Sequence, residues 1–354
     1  MTIILNNIII PMYSCYIYCN AIAVDKNLTT KDIYIMMTNA HLTEQSPFSI
    51  FHQDWWLNAA TDGQYDLIEV KKDGFVVGSL TIFMETHLGM RIITRPPYTR
   101  TLGPRLFLPP SKPFRRAQNI RNTIAELVKK IPPYDSLRIS LDPEDETAFA
   151  FSLCKFTIGQ TFTFRVPLDI PLKDVWDNCD QKTRNLIRTA DKKLSVVCNT
   201  NLDDFIRISL IDQPRAQNSH DFARMRKIFD ACCQREQACV MSAWDEHKQL
   251  IAAVVLIWDQ NNLYFWQSAR DRGATIAGSN MLLIWKSMEY AHNKGLTFDF
   301  DSFASAKSAK MIASFGLPPI VRPQVLGASM LRQWERSANS TLKFLKNKFL
   351  LKTG

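Results

Sequence analysis

The chain has 354 residues, of which 46% are hydrophobic and 22% charged, as in an ordinary globular protein. The formal net charge of +9 suits an anionic partner such as a nucleotide, a tRNA or a membrane surface, but a basic surface that binds nothing would also fit. The eight cysteines form no C-x-x-C pair and have no histidines at zinc-finger spacing, which excludes the common structural zinc sites.

Residues 1–45 form an N-terminal extension in the sequence pattern. Residues 3–24 are largely apolar, but Pro11 interrupts them and no basic segment precedes them, so neither a signal peptide nor a spanning helix is indicated. A true start at Met36 or Met37, a weak membrane anchor and an extra ordered segment all fit this pattern.

The next stretch predicts a mixed domain that opens with a short helix over residues 48–62. Two antiparallel strands follow at residues 65–70 and 74–83, joined by a turn at Asp73-Gly74. The remaining elements are a strand at residues 90–93, a proline-rich loop at 95–104, a helix at 114–130, a strand at 137–141, a helix at 146–155 and a strand at 161–166.

The second half repeats this order with little sequence identity. Strands at residues 250–258 and 263–268 precede a glycine-containing loop, a helix, a strand at 296–300, a short helix and a strand near 320–326. A repeat of this length predicts two similar domains rather than a solenoid, with the junction at residues 167–171.

The most informative stretch is residues 277–316. A Gly278-Ser279 turn opens a helix with apolar residues at helical spacing, and Gly295 ends it as a left-handed C-cap. The strand that follows places Phe298 and Phe300 on one face and Asp299 on the other. Asp301-Ser302 follows the strand, and a second helix ends at Phe315-Gly316.

This order resembles the second half of a GNAT-type acyltransferase domain, and more closely the Fem-type branch, with its peptidyl transferases and cell-envelope acyltransferases. The resemblance extends over residues 48–326 and is carried by the order and spacing of the motifs at residues 101–104, 181–190, 278–280, 298–302 and 314–316. It implies an α/β (α+β) fold of two tandem GNAT-like domains, each a mixed, mostly antiparallel sheet flanked by helices. The implied domains are residues 46–166 and 167–328, followed by a basic amphipathic helix at 329–354.

The loop at residues 270–279 is the predicted donor site. In GNAT enzymes this loop holds the acyl-CoA pyrophosphate, because glycines let backbone N–H groups approach the phosphates at a helix N-terminus. Arg270 and Gly273 follow the usual pattern, whereas Thr275 replaces its last small residue, and Fem-type enzymes that use aminoacyl-tRNA also depart here. An ordinary turn with Ser279 as N-cap is the alternative. The predicted donor-binding residues are Arg270, Arg272, Gly273, Gly278, Ser279 and Asn280.

A basic helix after Trp176 is the predicted substrate-binding surface. Arg184, Arg188 and Lys192 recur every fourth residue and share one face, where they either contact an anion or are simply solvated. In the resembled family this segment lies near the cleft between the two folds. The predicted substrate-binding residues are Lys182, Arg184, Arg188 and Ser302.

Three residues are candidates for catalysis. Asp299 and Asp301 share one face of an extended strand, and a close buried pair of carboxylates would raise one pKa to suit a general base. Helix capping and pairing with a lysine are the structural alternatives. Tyr264, beside the glycine-containing loop, could protonate a leaving thiolate, or it could simply pack in the core.

Residues 329–352 carry an apolar stripe surrounded by lysines and arginines, which suits either an anionic membrane surface or docking on the protein's own domain. The sequence contains no G-x-S-x-G, Walker or H-E-x-x-H motif. A cytoplasmic location, including the inner face of the membrane, is expected.

The resemblance implies an N-acyltransferase that moves an acyl group from acyl-CoA to an amino sugar of a nucleotide- or lipid-linked envelope polysaccharide precursor. No permanently bound cofactor or metal is expected, and acyl-CoA is the predicted co-substrate. The alternatives are an aminoacyl-tRNA-dependent transferase acting on a peptidoglycan precursor and a non-catalytic module that binds an anionic glycan carrier or a membrane.

Overall fold

The computed structural model describes residues 48–213, 218–300 and 305–328, together with strands β1 (Ile4–Leu5) and β2 (Ile8–Ile9), which pair with each other. The remaining N-terminal extension, Asp301, Ser302 and the predicted helix at 329–354 lie outside the described residues. The described part contains no helix that is long and apolar enough to cross a bilayer.

Seven strands form the first sheet, in the order β3-β4-β5-β7-β15-β8, with β6 paired to β4. All neighbours are antiparallel except β5 and β7. The strands are β3 (Asp66–Lys72), β4 (Phe75–His87), β5 (Met90–Thr94), β6 (Arg105–Leu106), β7 (Ser136–Ser140), β8 (Thr157–Thr163) and β15 (Ile320–Ala328).

The second sheet has the order β10-β11-β12-β13-β14-β9 and repeats this pattern. Its neighbours are antiparallel except β13 and β14. The strands are β9 (Arg165–Val166), β10 (Ser195–Asn199), β11 (Ala238–Trp244), β12 (Leu250–Trp258), β13 (Asn262–Arg270) and β14 (Thr297–Asp299).

Helices connect the parallel strands and cover the sheets. A parallel pair needs a crossover connection, and α2 supplies it between β5 and β7 as α8 does between β13 and β14. The described helices are α1 (Asp54–Thr61), α2 (Pro113–Lys129), α3 (Ala148–Leu153), α4 (Leu172–Asn178), α5 (Gln181–Asp191), α6 (Leu202–Asp212), α7 (Phe222–Cys233), α8 (Ser279–Asn293) and α9 (Ala306–Ala313). The predicted fold class is confirmed, whereas α4, α6, β10 and β11 had not been predicted.

The two halves exchange strands. Sequence order assigned the strand near residues 320–326 to the second domain, which is wrong: β15 lies between β7 and β8 of the first sheet. The strand predicted at 161–166 is divided, since β9 leaves the first half and pairs with β14 of the second sheet. The exact domain boundaries stay a prediction.

Three apolar cores hold this arrangement. One lies between α8 and the second sheet, and one packs α2 and α3 on the first sheet. The third covers the other face of the second sheet and includes Phe51, Trp56 and Leu57. The predicted first helix, α1, therefore packs on the second half of the molecule, and the edge-to-face contact of Trp56 with Trp266 (5.8 Å) belongs to this core.

Candidate functional site

The second sheet opens beside its parallel strands. Pairing of β13 with β14 spans only residues 262–264 and 297–299, whereas β13 continues to Arg270. Half-buried Phe265 lies where the strands part, with its ring 6.2 Å from Phe298 and 6.4 Å from Phe300. The three rings therefore form an aromatic cluster at the point where the parallel pairing ends.

The N-terminus of α8 lies at this opening. Gly278, rather than Ser279, is its N-cap and has a φ of 91°, and no side chain in the described part caps the helix. A Cβ on Gly278 would lie 2.6 Å from the Leu186 carbonyl oxygen, so only glycine lets α8 begin this close to α5. Asn280 Oδ1, in the first turn, is buried and has no hydrogen-bond partner among the described residues. Uncapped first-turn amides attract an anion.

The end of α9 packs against the beginning of α5. Thr183 Oγ1 donates to Ser314 Oγ (2.8 Å), and the Asp180 N–H donates to the Ser314 carbonyl oxygen (2.9 Å). Gly316 has a φ of 74°, and a Cβ there would overlap the Asn178 carbonyl group. The predicted motifs at residues 181–190, 278–280 and 314–316 therefore meet around α5.

A shallow groove of about 510 Å³ follows the exposed side of α5 and includes Lys182. Its residues are Asp180, Gln181, Lys182, Asn185, Leu186 and Thr189. Leu186 also contacts the start of α8. Of the predicted substrate-binding cations, Lys182 is therefore the one that lies in a groove next to the N-terminus of α8.

Arg184 does not belong to this groove, which corrects its prediction as a substrate-binding residue. One guanidinium nitrogen donates to the carbonyl oxygens of Trp176, Asp177 and Cys179, at 3.2, 2.9 and 2.6 Å. These carbonyls lie at the C-terminal end of α4, where Trp176 also accepts from the Cys179 N–H, so Arg184 caps that helix. Arg188 stacks over the Trp176 ring at 5.3 Å.

The loop before α8 is not assembled as a phosphate cradle. The Gly273 N–H donates to Asp271 Oδ1 (2.7 Å), and Arg272 forms an ion pair with Asp212 (2.5 Å). The donor contacts of Gly273 and Arg272 stay predictions; in this structure both groups contact carboxylates of the protein. Arg270 ends β13 and is half-buried.

Asp299 is the centre of a buried ion-pair network rather than a general base. It is fully buried and accepts hydrogen bonds from Thr163 Oγ1 (2.6 Å) and Arg165 Nε (2.7 Å), with Arg322 at 3.5 Å. Burial alone would raise the pKa of Asp299, but the charges of Arg165 and Arg322 outweigh it and the pKa is lowered. This is opposite to the predicted shift, and the carboxylate has no exposed face at which to meet an amine.

Arg165 extends this network to the first half. It contacts Asp142 at 2.7 Å and Glu144 at 3.2 Å. Burial alone would lower the pKa of Arg165, but the charges of Asp299 and Asp142 outweigh it and the pKa is raised. Neither Arg165 nor Arg322 was predicted. Arg165 precedes buried Val166 in the two-residue strand β9, and Arg322 is buried in β15, a strand that is otherwise mostly half-buried.

Tyr264 is also structural. It is 1% exposed, and its hydroxyl group donates to Asp259 Oδ2 (3.0 Å), which also accepts from the Ile50 N–H (3.1 Å). Burial, and next the charge of Asp259, raise the pKa of Tyr264 well above its usual value. The predicted role as a proton donor to a thiolate is wrong, because this hydroxyl group is enclosed behind the second sheet. Asp301 and Ser302 lie outside the described residues, and their roles stay predictions.

A mixed sheet whose single parallel pair opens beside a helix N-terminus is the arrangement of the GNAT acyltransferase fold. Residues 178–306 match the sequence profile of the family described as acetyltransferase (GNAT) domain. No curated protein sequence matches the chain.

Solved structures resemble the molecule along most of its length. FemX is 12% identical, with a TM-score of 0.60, over 87% of this chain and 98% of its own. The C-terminal DUF2156 domain of a protein described as a lysylphosphatidylglycerol synthetase, from Agrobacterium fabrum, is 11% identical, with a TM-score of 0.50, over 84% and 92%. A tandem GNAT protein from the clavulanic acid biosynthesis pathway is 13% identical, with a TM-score of 0.48, over 86% and 95%. Residues 178–306 thus match a GNAT acetyltransferase domain, and the chain has a fold similar to that of FemX.

Proposed function

We propose that the protein is an N-acyltransferase that binds acyl-CoA beside α8 and transfers the acyl group to the amine of an amino sugar in a cell-envelope polysaccharide precursor. The observation that carries this proposal is the uncapped start of α8 next to the gap between β13 and β14. Gly278 gives the donor's phosphates access to the first-turn amides of Ser279 and Asn280.

In this proposal the acceptor amine attacks the thioester carbonyl, an amide bond forms, and the thiol of CoA leaves with a proton. The protein mainly orients the two substrates. Phe265, Phe298 and Phe300 keep water away from the acyl group, and Lys182 contacts an anionic part of a substrate. Asp301 is the proposed base that takes the proton from the amine.

The acceptor rests on the resemblance to envelope acyltransferases. The same resemblance supports a cytoplasmic site of action, at the inner face of the membrane when the precursor is lipid-linked. The basic C-terminal segment would then add peripheral membrane contact.

The second candidate is an aminoacyl-tRNA-dependent transferase. Two observations favour it: Gly273 and Arg272 are already engaged, which removes part of the usual pyrophosphate cradle, and the fold is similar to that of FemX. Net charge of +9 would serve a tRNA equally well.

The deciding experiment compares donors by thermal unfolding and turnover. Acyl-CoA at about 100 times its Kd should stabilise the protein by about 2.7 kcal/mol, and thiol release should require a nucleotide-linked amino sugar. Stabilisation by aminoacyl-tRNA, with no response to acyl-CoAs of any chain length, would support the second candidate and refute the first. Stabilisation without turnover on any amine would identify a non-catalytic binding module.

A further inference from the structure

Strand β13 contains a bulge at Trp266, just beyond its last pairing with β14. On the β12 side, Phe265 pairs with Leu256 and Gln267 pairs with the preceding residue of β12, so the register skips Trp266. On the other side, the pairing with β14 ends at Tyr264. A bulge bends its strand and increases the local twist, so β13 turns at the point where the opening begins.

The bulge also determines which side chains of β13 face α8. Residues that pair directly across two strands share a face of the sheet. Phe265, Ser268 and Arg270 pair with residues of the core between α8 and the second sheet, namely Leu256, Val254 and Ala252. Simple alternation from Phe265 would have placed Ala269 on this face instead of Ser268 and Arg270. The extra residue therefore places a hydroxyl group and a guanidinium group on the face where α8 begins.

A loop from the first half holds this bulge. Arg100 lies in the loop after β5, is half-buried, and donates from Nη2 to the Trp266 carbonyl oxygen at 2.6 Å. The Trp266 indole N–H donates to the Tyr98 carbonyl oxygen at 3.0 Å, and Arg95 Nη1 donates to the Arg100 carbonyl oxygen at 2.6 Å. The loop thus binds both the backbone and the side chain of the bulged residue, and the bond from Arg100 is charge-assisted.

The same loop is fixed to both sheets at the residues next to Arg100. The Leu102 N–H donates to the Ser140 carbonyl oxygen in β7 at 2.9 Å. Trp56 Nε1, in the core on the far face of the second sheet, donates to Thr99 Oγ1 at 2.9 Å. Arg100 therefore extends from a loop whose position is set by other contacts, as a residue that positions a neighbouring strand requires.

We propose that Arg100 is a positioning residue for the donor site: it holds the Trp266 bulge and so fixes how β13 departs from β14 and keeps Ser268 and Arg270 on the α8 face. This role rests on the proposed function, because it assumes an acyl donor beside α8. Arg100 acts through the Trp266 carbonyl group rather than by touching the donor. The first half thereby helps to shape a site that lies in the second half.

Hydrogen exchange of the full-length protein tests the contact without any donor. Arg100→Met keeps a long apolar side chain but removes every donor, and amides of residues 265–270 should then exchange about tenfold faster. Exchange in β11 should not change, and Arg100→Lys should give an intermediate rate because it retains a charged donor.

Trp56→Phe is the matched control, because it removes a buried hydrogen bond to the adjacent loop residue and leaves the contact between Arg100 and Trp266. Its exchange at residues 265–270 should remain close to that of the wild type. Wild-type exchange in Arg100→Met, or an equal increase in Trp56→Phe, would overturn the role of Arg100.

Steady-state kinetics separate positioning from general stability. With acetyl-CoA and a nucleotide-linked amino sugar, Arg100→Met should raise the donor KM about tenfold and leave the acceptor KM unchanged, and Arg100→Lys should recover most of the donor KM. A purely structural residue would lower the active fraction and leave the donor KM as it is, so an unchanged donor KM would refute the proposal. If the wild type accepts neither acetyl-CoA nor aminoacyl-tRNA, the proposed function fails, whereas faster exchange in Arg100→Met would still support Arg100 as the residue that holds the bulge.

Discussion

Replacing Asp299 by asparagine should destabilise the fold rather than slow a chemical step. The carboxylate is fully buried between Arg165 and Arg322, whose side chains are 5% and 4% exposed. Removing one member of a buried ion pair leaves the other charges uncompensated and typically costs about 3–5 kcal/mol. Because whole domains are stable by only about 5–15 kcal/mol, the variant should lose roughly a fifth or more of its stability.

Urea unfolding followed by tryptophan fluorescence measures this loss. The matched control is Asp177→Asn, because Asp177 pairs with Lys173 at 2.5 Å but both side chains are largely exposed. That control should cost only about 0.2–1 kcal/mol. An Asp299→Asn protein with wild-type stability and strongly reduced turnover would refute the structural role and restore the role of general base.

The same network predicts an acid-sensitive stability. The opposing effect of burial is outweighed by Arg165 and Arg322, so the folded pKa of Asp299 lies below its usual value of 3.8. A group with a lowered folded pKa contributes stability above its unfolded pKa, and this contribution is lost as the pH falls through the folded pKa. Wild-type stability should therefore decline below about pH 4, and Asp299→Asn should lack this part of the decline.

Five further substitutions test the start of α8 and its surroundings. Gly278→Ala should abolish donor-dependent thermal stabilisation. Gly295 is the matched control, because it has a similar positive φ but open space around it. Gly295→Ala should cost only the backbone strain of about 1–2 kcal/mol and should retain donor-dependent stabilisation. Arg184→Ala should lower the free energy of unfolding by about 1–3 kcal/mol, because three carbonyls at the end of α4 lose a donor. Lys182→Ala should leave the free energy of unfolding unchanged and weaken substrate binding about tenfold in a titration. Asp301→Asn should reduce kcat about 100-fold or more with little change in melting temperature, and wild-type turnover would exclude Asp301 as the base.

The sequence was sufficient to predict the fold class, because the fold class depends on local signals and on their order along the chain. Gly278 and Gly316 mark close backbone approaches, and both have the positive φ for which glycine is suited. The fixed order of hairpin, helix and strand in both halves then predicts two sheets of the same design. These features need no knowledge of which distant residue fills which space.

The roles of individual charged residues could not be predicted in this way. The spacing of Arg184 and Arg188 indicates a shared face, but not that the carbonyls at the end of α4 lie within reach of Arg184. Asp299 likewise appears in sequence as the partner of Asp301, whereas its nearest charges come from Arg165 and Arg322. A charge's effect depends on its neighbours in space, and strand exchange supplies those neighbours from far along the chain.

The exchanged strands also explain why a buried ion network lies at this point. β9 carries Arg165 from the first half into the second sheet, and β15 carries Arg322 back into the first. Asp299 at the end of β14 attracts both arginines and is paired directly with Arg165 in the strand register. A slip of β9 by one residue would turn Arg165 to the opposite face and leave Asp299 without its principal counter-charge. The cost of that mismatch fixes the register of β9. Because β14 also borders the proposed donor opening, the same strand sets both the junction between the halves and the width of that opening.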